Sequence, residues 1–135
     1  METCIFCKII QGEISSHIIY EDNDTLAFLD IKPHAQGHTV VIPKVHVETV
    51  FDLSVQQAKE LMADVITVMS RIREVLQPDG FNVGWNHHPA GGQVVPHLHI
   101  HIFPRYEGDG GGSMHSIIRH PGEKAVDEVA KMFTR

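Results

Sequence analysis

The chain is most constrained by the stretch Pro96-His97-Leu98-His99-Ile100-His101-Ile102-Phe103-Pro104. Successive side chains of a β-strand point to opposite faces. In a strand, His97, His99 and His101 therefore share one face, and Leu98, Ile100 and Ile102 share the other. The apolar face demands a core. The opposite face presents a row of imidazoles, the side chains suited to proton transfer, metal ligation and nucleophilic attack near neutral pH. A lone strand histidine is ordinarily a polar side chain with its hydrogen bonds satisfied. Three at strict period two do not follow from packing, which favours Thr or Val, and neighbouring imidazoles repel when more than one is charged.

A chain of 135 residues suits one domain with a core that needs no staples. The expected domain is 1–135, with a core over about 4–106 and a variable tail over 107–135. The formal net charge of −6 argues against a broad electrostatic grip on nucleic acid, but leaves room for a small anion held locally. No apolar run approaches the roughly 18 to 20 residues of a membrane span. Met1-Glu2-Thr3-Cys4 lacks the basic and apolar regions of a signal peptide. With Cys4 and Cys7 as its only cysteines, the chain is expected to be cytoplasmic and reduced.

In chain order, Ile18–Glu21 and Thr25–Asp30 flank the turn residues Asp22-Asn23-Asp24 and predict a hairpin. His38–Pro43 predicts a third, buried strand after a Pro- and Gly-punctuated loop. Ser54-Val55-Gln56-Gln57 is a capping box opening a helix over 55–76. Its apolar stripe is Ala58, Leu61, Met62, Val65, Val68, Met69, Ile72, Val75 and Leu76, and Pro78-Asp79-Gly80 stops it. Phe81–Asn86 predicts a fourth strand. The loop His87–Gln93 delivers the chain into the histidine strand, and its glycines allow backbone N–H groups to approach an anion. Glu107–Ser113 is Gly-rich and expected to be mobile. A short amphipathic helix is expected within 122–133.

Cys4-Ile5-Phe6-Cys7 is by itself half a zinc site, a redox pair or two unrelated small residues. Four-coordinate zinc would need two further ligands, and with only two cysteines in the chain they must be histidines.

His97-Leu98-His99-Ile100-His101-Ile102-Phe103 resembles the histidine-triad (HIT) motif, His-φ-His-φ-His-φ-φ. The resemblance extends through Cys4–Ile10, Glu21-Asp22, Leu26–Ile31, Gly37–His46 and Gly91-Gly92-Gln93, covering roughly 4–106, and is closest to the Hint-like branch in its prokaryote-type form. It implies an α+β fold: an antiparallel sheet of about five strands, a long helix, a short C-terminal helix, and a homodimer. It implies attack on the α-phosphorus of a purine nucleotide, an AMP- or GMP-like substrate, through a nucleotidyl-histidine intermediate. His99 would be the nucleophile, His101 would bind phosphate oxygens, and His38 would support the triad from behind. Asp30 would accept the ribose hydroxyls. Phe6, Ile14, Phe28 and Ile31 would line the base pocket, and Asn86, Gln93, Val94 and nearby N–H groups would border the nucleotide at its phosphate. Related proteins with both cysteines imply structural zinc on Cys4, Cys7, His46 and His97, the last serving the triad and the metal together. No nucleic-acid or membrane partner is implied.

One departure stands out. The Hint-like branch usually carries a Ser after the loop Gln, thought to assist the leaving amine, and Val94 occupies that position with no proton to give. His87-His88-Pro89 also replaces small acidic or glycine-rich residues. The leading expectation is hydrolysis of nucleoside phosphoramidates or acyl-nucleotides. The rivals are a dinucleoside-polyphosphate hydrolase, against which Asn86 argues because the Fhit branch has Gln there, and a nucleotide-binding regulatory protein with vestigial catalysis. A metal held by all three strand histidines lacks a carboxylate in the strand to complete it.

Overall fold

The computed structural model describes residues 3–133. Met1, Glu2, Thr134 and Arg135 lie outside it, and with them the ends of the expected domain and the first residues of the stretch read against a leader. Five strands form one antiparallel sheet: β1 (Ile18–Glu21), β2 (Thr25–Leu29), β3 (Thr39–Pro43), β4 (Gly80–Gly84) and β5 (Ile100–Arg105), in the order β1-β2-β3-β5-β4. Three helices accompany it: α1 (Ile5–Ile10), α2 (Val55–Leu76) and α3 (Val126–Met132). The α+β expectation and the five-stranded sheet hold. No helix among the described residues is long and apolar enough to cross a membrane.

The period of two along the strands decides what each sheet face carries. Leu98, Ile100 and Ile102 join Ala27 and Val41 beneath α2, which contributes Leu61, Val65, Val68 and Ile72. Each fully buried Val, Leu or Ile among them contributes about 1.5–3 kcal/mol. On the other face Leu26, Phe28, Val40 and Ile42 pack against Cys4, Phe6 and Cys7 at the start of α1. Val40 lies opposite His101 in the β3–β5 register, so the imidazoles belong to this second face.

Helix α2 begins and ends where the sequence predicts. Ser54 Oγ accepts from the Gln57 N–H at 3.1 Å, and Gln57 Oε1 accepts from the Ser54 N–H at 2.8 Å. Gln77 then turns left-handed at φ 50° before Pro78. The fully buried stripe is narrower than predicted: Leu61, Val65, Val68 and Ile72 are buried, Met69 and Leu76 pack partly buried against the same core, and Ala58, Met62 and Val75 stay exposed.

Other boundaries move for local reasons. The predicted strand over 81–86 is β4 over 80–84, since its ladder ends where Gly84 pairs with His101. The third strand starts at Thr39, because the His38 N–H turns back to the Ala35 carbonyl. His97–His99 precede the β5 ladder but keep its alternation, with the Leu98 N–H held by the Val47 carbonyl at 2.7 Å. No helix is predicted at Cys4–Cys7, yet Cys4 caps α1, its Sγ accepting from the Cys7 N–H at 3.4 Å.

The Gly-rich segment expected to be mobile is strapped instead. The Arg105 guanidinium donates to Asp109 at 2.8 and 2.9 Å, to Asn82 Oδ1 at 2.6 Å and to the Gly112 carbonyl. Helix α3 is shorter than 122–133 and lies exposed.

Candidate active site and metal centre

The histidine row is buried at one end and open at the other. His97 is fully buried, His99 nearly so, and His101 half-buried. Each ring has at least one nitrogen fixed by a neighbour, and a carbonyl oxygen can only accept, so the tautomers follow. His97 Nε2–H donates to the Pro43 carbonyl at 2.9 Å, which leaves the Nδ1 lone pair facing Cys4 Sγ at 3.4 Å and Cys7 Sγ at 3.7 Å. His99 Nδ1–H donates to the His97 carbonyl at 2.7 Å, which leaves a lone pair on Nε2. His38 Nδ1 accepts from the His34 backbone N–H at 3.2 Å, so its Nε2 carries the hydrogen and donates to His101 Nδ1 at 2.9 Å. His101 Nε2 then carries the remaining hydrogen.

Burial favours these neutral forms. It is the largest cause lowering the pKa of His38, His97 and His99, and with the neighbouring His99 and His38 it carries His101 down to about 4. The Asp30 carboxylate opposes this, with its Oδ2 3.6 Å from His38 Nε2.

Two sets of side chains come close enough to share an ion: Cys4, Cys7, His46 and His97, and Asp30, His38 and His101. Their chemistry differs. In the first, His46 Nδ1 lies 3.2 Å from Cys7 Sγ, and the sulfur–nitrogen distances of 3.2–3.7 Å bracket the roughly 3.5 Å that tetrahedral zinc requires of its S and N ligands. The His97 tautomer also points the correct lone pair inward. This donor set fits a structural metal ion. In the second set, the nitrogen His38 would offer carries the hydrogen, and moving it to Nδ1 would set two N–H groups against each other at His34. The hydrogen bonds make that cluster a relay.

The other predicted residues divide. Phe6 and Phe28 are buried with ring centres 5.7 Å apart, and Phe6 meets the His99 ring edge-on at 5.0 Å. Asp30 is half-buried at the end of β2, and its Oδ1 accepts from the Lys32 N–H at 2.8 Å. Ile14 and Ile31 are exposed outside both cores. Asn86 borders a cavity of about 590 Å³ that also reaches Asp30, His38 and His101. Gln93 is buried and fully engaged: its Nε2 donates to the Glu48 and Val95 carbonyls at 2.9 and 3.1 Å, and its Oε1 accepts from the His88 N–H at 2.8 Å. It braces the loop. The N–H groups of Gly91, Gly92 and Gln93 are likewise spent within the loop. Val94 is 89% exposed. His87 rests edge-on against Phe51 at 5.3 Å, while His88 is exposed.

Sequence reasoning missed Gly37 and Phe103. Gly37 sits at φ +88°, and a Cβ there would strike the Leu76 side chain and Pro104, so only glycine lets the chain turn tightly into His38. Phe103 continues the period-two row and stacks on His101 with ring centres 5.7 Å apart. The alternation that exposed the histidines could have found it.

Comparison with known proteins agrees with this geometry. Residues 11–108 match the model of the HIT domain. The protein Hit of Bacillus subtilis is 46% identical over 114 residues, spanning 84% of this chain and 79% of that protein. The adenosine 5′-monophosphoramidase hnt1 of Schizosaccharomyces pombe is 38% identical over 103 residues, 76% of this chain and 74% of that one. A zinc-bound histidine triad family protein from Mycobacterium smegmatis superposes with a TM-score of 0.76 at 37% identity, covering 81% of this chain and 79% of that one. With its histidine row, sheet order and sequence all in agreement, the chain belongs to the HIT domain family.

Proposed function

We propose that the protein hydrolyses nucleoside phosphoramidates and acyl-nucleotides at the α-phosphate of a purine nucleotide, with His99 as nucleophile. The observation that carries this reading is the paired tautomer set. His99 offers an unprotonated Nε2, and two residues on along the same face His101 offers a hydrogen-bearing Nε2.

In the proposed sequence the His99 Nε2 lone pair forms a bond to phosphorus as the P–N or P–O bond to the leaving group breaks. The departing group takes the electron pair and a proton from water. A second water-derived oxygen then displaces the imidazole, releasing the nucleoside monophosphate and restoring neutral His99. The His97 carbonyl stabilises the charge that His99 gains on forming the adduct. His101, held by His38, donates to a phosphoryl oxygen and needs no reorganisation to do so. Asp30 takes the ribose hydroxyls and Phe6 and Phe28 the base side, with Ile14 and Ile31 at its open rim. Asn86 is the side-chain donor free to meet the phosphate; Gln93 positions the loop. Val94 supplies no proton, so His101 and solvent carry the leaving-group side.

Zinc on Cys4, Cys7, His46 and His97 would pin the start of the histidine row to α1. It supplies structural cross-linking and no reaction step. The free thiols it requires suit a reducing compartment. A homodimer would cover the exposed apolar positions Met62, Ile66 and Val75 of α2.

The test follows AMP release from an adenosine phosphoramidate and from a diadenosine polyphosphate, using the wild type and His99→Ala. Release from the phosphoramidate by the wild type alone supports the reading. Cleavage of the dinucleotide alone would move the protein to the polyphosphate hydrolases. AMP binding without cleavage of either would make it a nucleotide-binding regulator.

A further inference from the structure

A carboxylate recognises only half of a hydroxyl. A ribose hydroxyl donates one hydrogen and also presents lone pairs, while an ionised carboxylate can only accept. Asp30, to which the proposed function gives the ribose, therefore leaves the lone pairs of those hydroxyls without a donor. The hydrogens nearest to it are already engaged. The Lys32 N–H donates to Asp30 Oδ1 itself at 2.8 Å. His38 Nε2, 3.6 Å from Asp30 Oδ2, gives its hydrogen to His101 at 2.9 Å.

One hydroxyl in the fold is unspent. Ser16 Oγ is shielded from solvent and has no hydrogen-bond partner, alone among the side-chain oxygens and nitrogens of the described residues. A buried polar group left unpaired is costly, and natural folds keep few of them.

The strand register shows where this hydroxyl lies. Ile18 of β1 is opposite Phe28 of β2, and the Leu29 N–H donates to the His17 carbonyl at 3.0 Å. One residue further along the same pairing, Ser16 falls opposite Asp30. Directly opposed residues project on one face with their Cβ atoms about 4.5–5.5 Å apart. That face is the one on which Phe28 meets Phe6, and from which Asp30 reaches His38. Ser16 thus stands where the base side, at Phe6 and Phe28, gives way to the sugar side at Asp30. The residue is half-buried, and a χ1 step between staggered wells can carry its hydroxyl out of the shielded position.

We infer that Ser16 is a specificity-determining residue for the sugar: its Oγ–H donates to the oxygen of one ribose hydroxyl, whose own hydrogen goes to Asp30. The inference rests on the proposed nucleotide reading and deepens it at the ribose. Donor and acceptor then face each other across the β1–β2 pairing, and a ribose hydroxyl is the group that satisfies both. A deoxy sugar lacking that oxygen leaves Ser16 unpaired and gives it nothing to discriminate.

The experiment measures the affinity of the wild type and of Ser16→Ala for AMP, 2′-deoxy-AMP and 3′-deoxy-AMP by titration calorimetry. Ser16→Ala should bind AMP about three- to tenfold more weakly, the scale of one neutral hydrogen bond. The loss should vanish for the deoxynucleotide that lacks the partner oxygen and persist for the other. Equal AMP affinity in the two proteins, or the same loss with all three nucleotides, overturns the role of Ser16 and leaves the nucleotide reading standing. Failure of the wild type to bind AMP overturns that reading and the role of Ser16 with it. The titrations need no turnover, so AMP binding without hydrolysis would fell the phosphoramidase reading while the three affinities still decide Ser16. Without nucleotide, the melting temperature of Ser16→Ala should equal or exceed that of the wild type, because the hydroxyl has no partner in the fold to lose. A lower one would make the hydroxyl a bond of the fold, and would also overturn its role.

Discussion

His97 and His99 sit two residues apart on one extended segment, on one face, each pinned by a backbone carbonyl, yet they are suited to different chemistry. The Pro43 carbonyl takes Nε2 of His97, and the His97 carbonyl takes Nδ1 of His99. The remaining lone pairs therefore sit on opposite nitrogens. That of His97 points into a buried pair of sulfurs. That of His99 belongs to a ring that meets Phe6 edge-on, and in the proposed function it faces the phosphate. Which nitrogen a carbonyl captures decides whether an imidazole is presented as a ligand or as a nucleophile. The residue type and the strand position do not.

The largest effect should fall on the nucleophile end. His99→Ala should lower kcat for phosphoramidate hydrolysis, measured per folded molecule, by about 10⁴-fold or more. Rapid-quench trapping of the nucleotidylated protein gives the sharper check: the adduct should form on the wild type and be absent from the variant. If His97→Ala abolished the adduct while His99→Ala retained it, the division of labour along the row would be reversed.

Cys4→Ser should act at the other end and through stability. It removes one of the four proposed ligands, so the metal content measured by atomic absorption should fall well below one ion per chain. The melting temperature should drop by about 10 °C or more, since metal binding free energy is folding free energy. Activity per folded molecule should fall far less than in His99→Ala. Equal metal content in wild type and variant would leave Cys4 and Cys7 as two buried thiols, of which Cys7 is already raised by burial and by Cys4.

Gln93 lies between the two ends. Its amide donates to the Glu48 and Val95 carbonyls and accepts from the His88 N–H, which braces the 87–93 loop. Gln93→Ala should cost about 1–3 kcal/mol in denaturant unfolding, because buried partners lose their bonds. It should lower kcat/KM by about tenfold through loop position. A loss of about 10²-fold or more at unchanged stability would instead make Gln93 a direct phosphate donor.

The elements that carry their own periodicity and caps were legible: the hairpin, β3, and α2 with its Ser54–Gln57 box. The histidine row was legible because alternation is a one-dimensional property. The zinc-type cluster was legible only through resemblance, since nothing in the order of residues says that Cys4 and His97 end 3.4 Å apart. The tautomers were not legible at all: they depend on carbonyls such as that of Pro43, and backbone carbonyls have no signature in a sequence. The Arg105 strap went unread for a related reason, since a Gly-rich run looks mobile until a distant guanidinium captures its carbonyl.

The smallest expected effect concerns pH and tests whether the relay is neutral. His101 is held near 4 by burial and by His99 and His38, with Asp30 opposing and His34 adding to the shift; His38 is lowered chiefly by burial. A histidine whose folded pKa lies below its unfolded value contributes no pH dependence above about 6.5. Between that value and the folded pKa the unfolded chain binds the extra proton, so stability falls as pH falls through this window. The melting temperature should therefore decline from pH 7 toward pH 4.5. His101→Gln should flatten that decline by a few degrees, because its amide has no proton to gain. Buried carboxylates contribute to both proteins alike, so the quantity to compare is the difference between the two slopes. Parallel slopes would mean that His101 takes up its proton in the fold as readily as in the unfolded chain, and a protonated His101 could not accept from His38 at 2.9 Å.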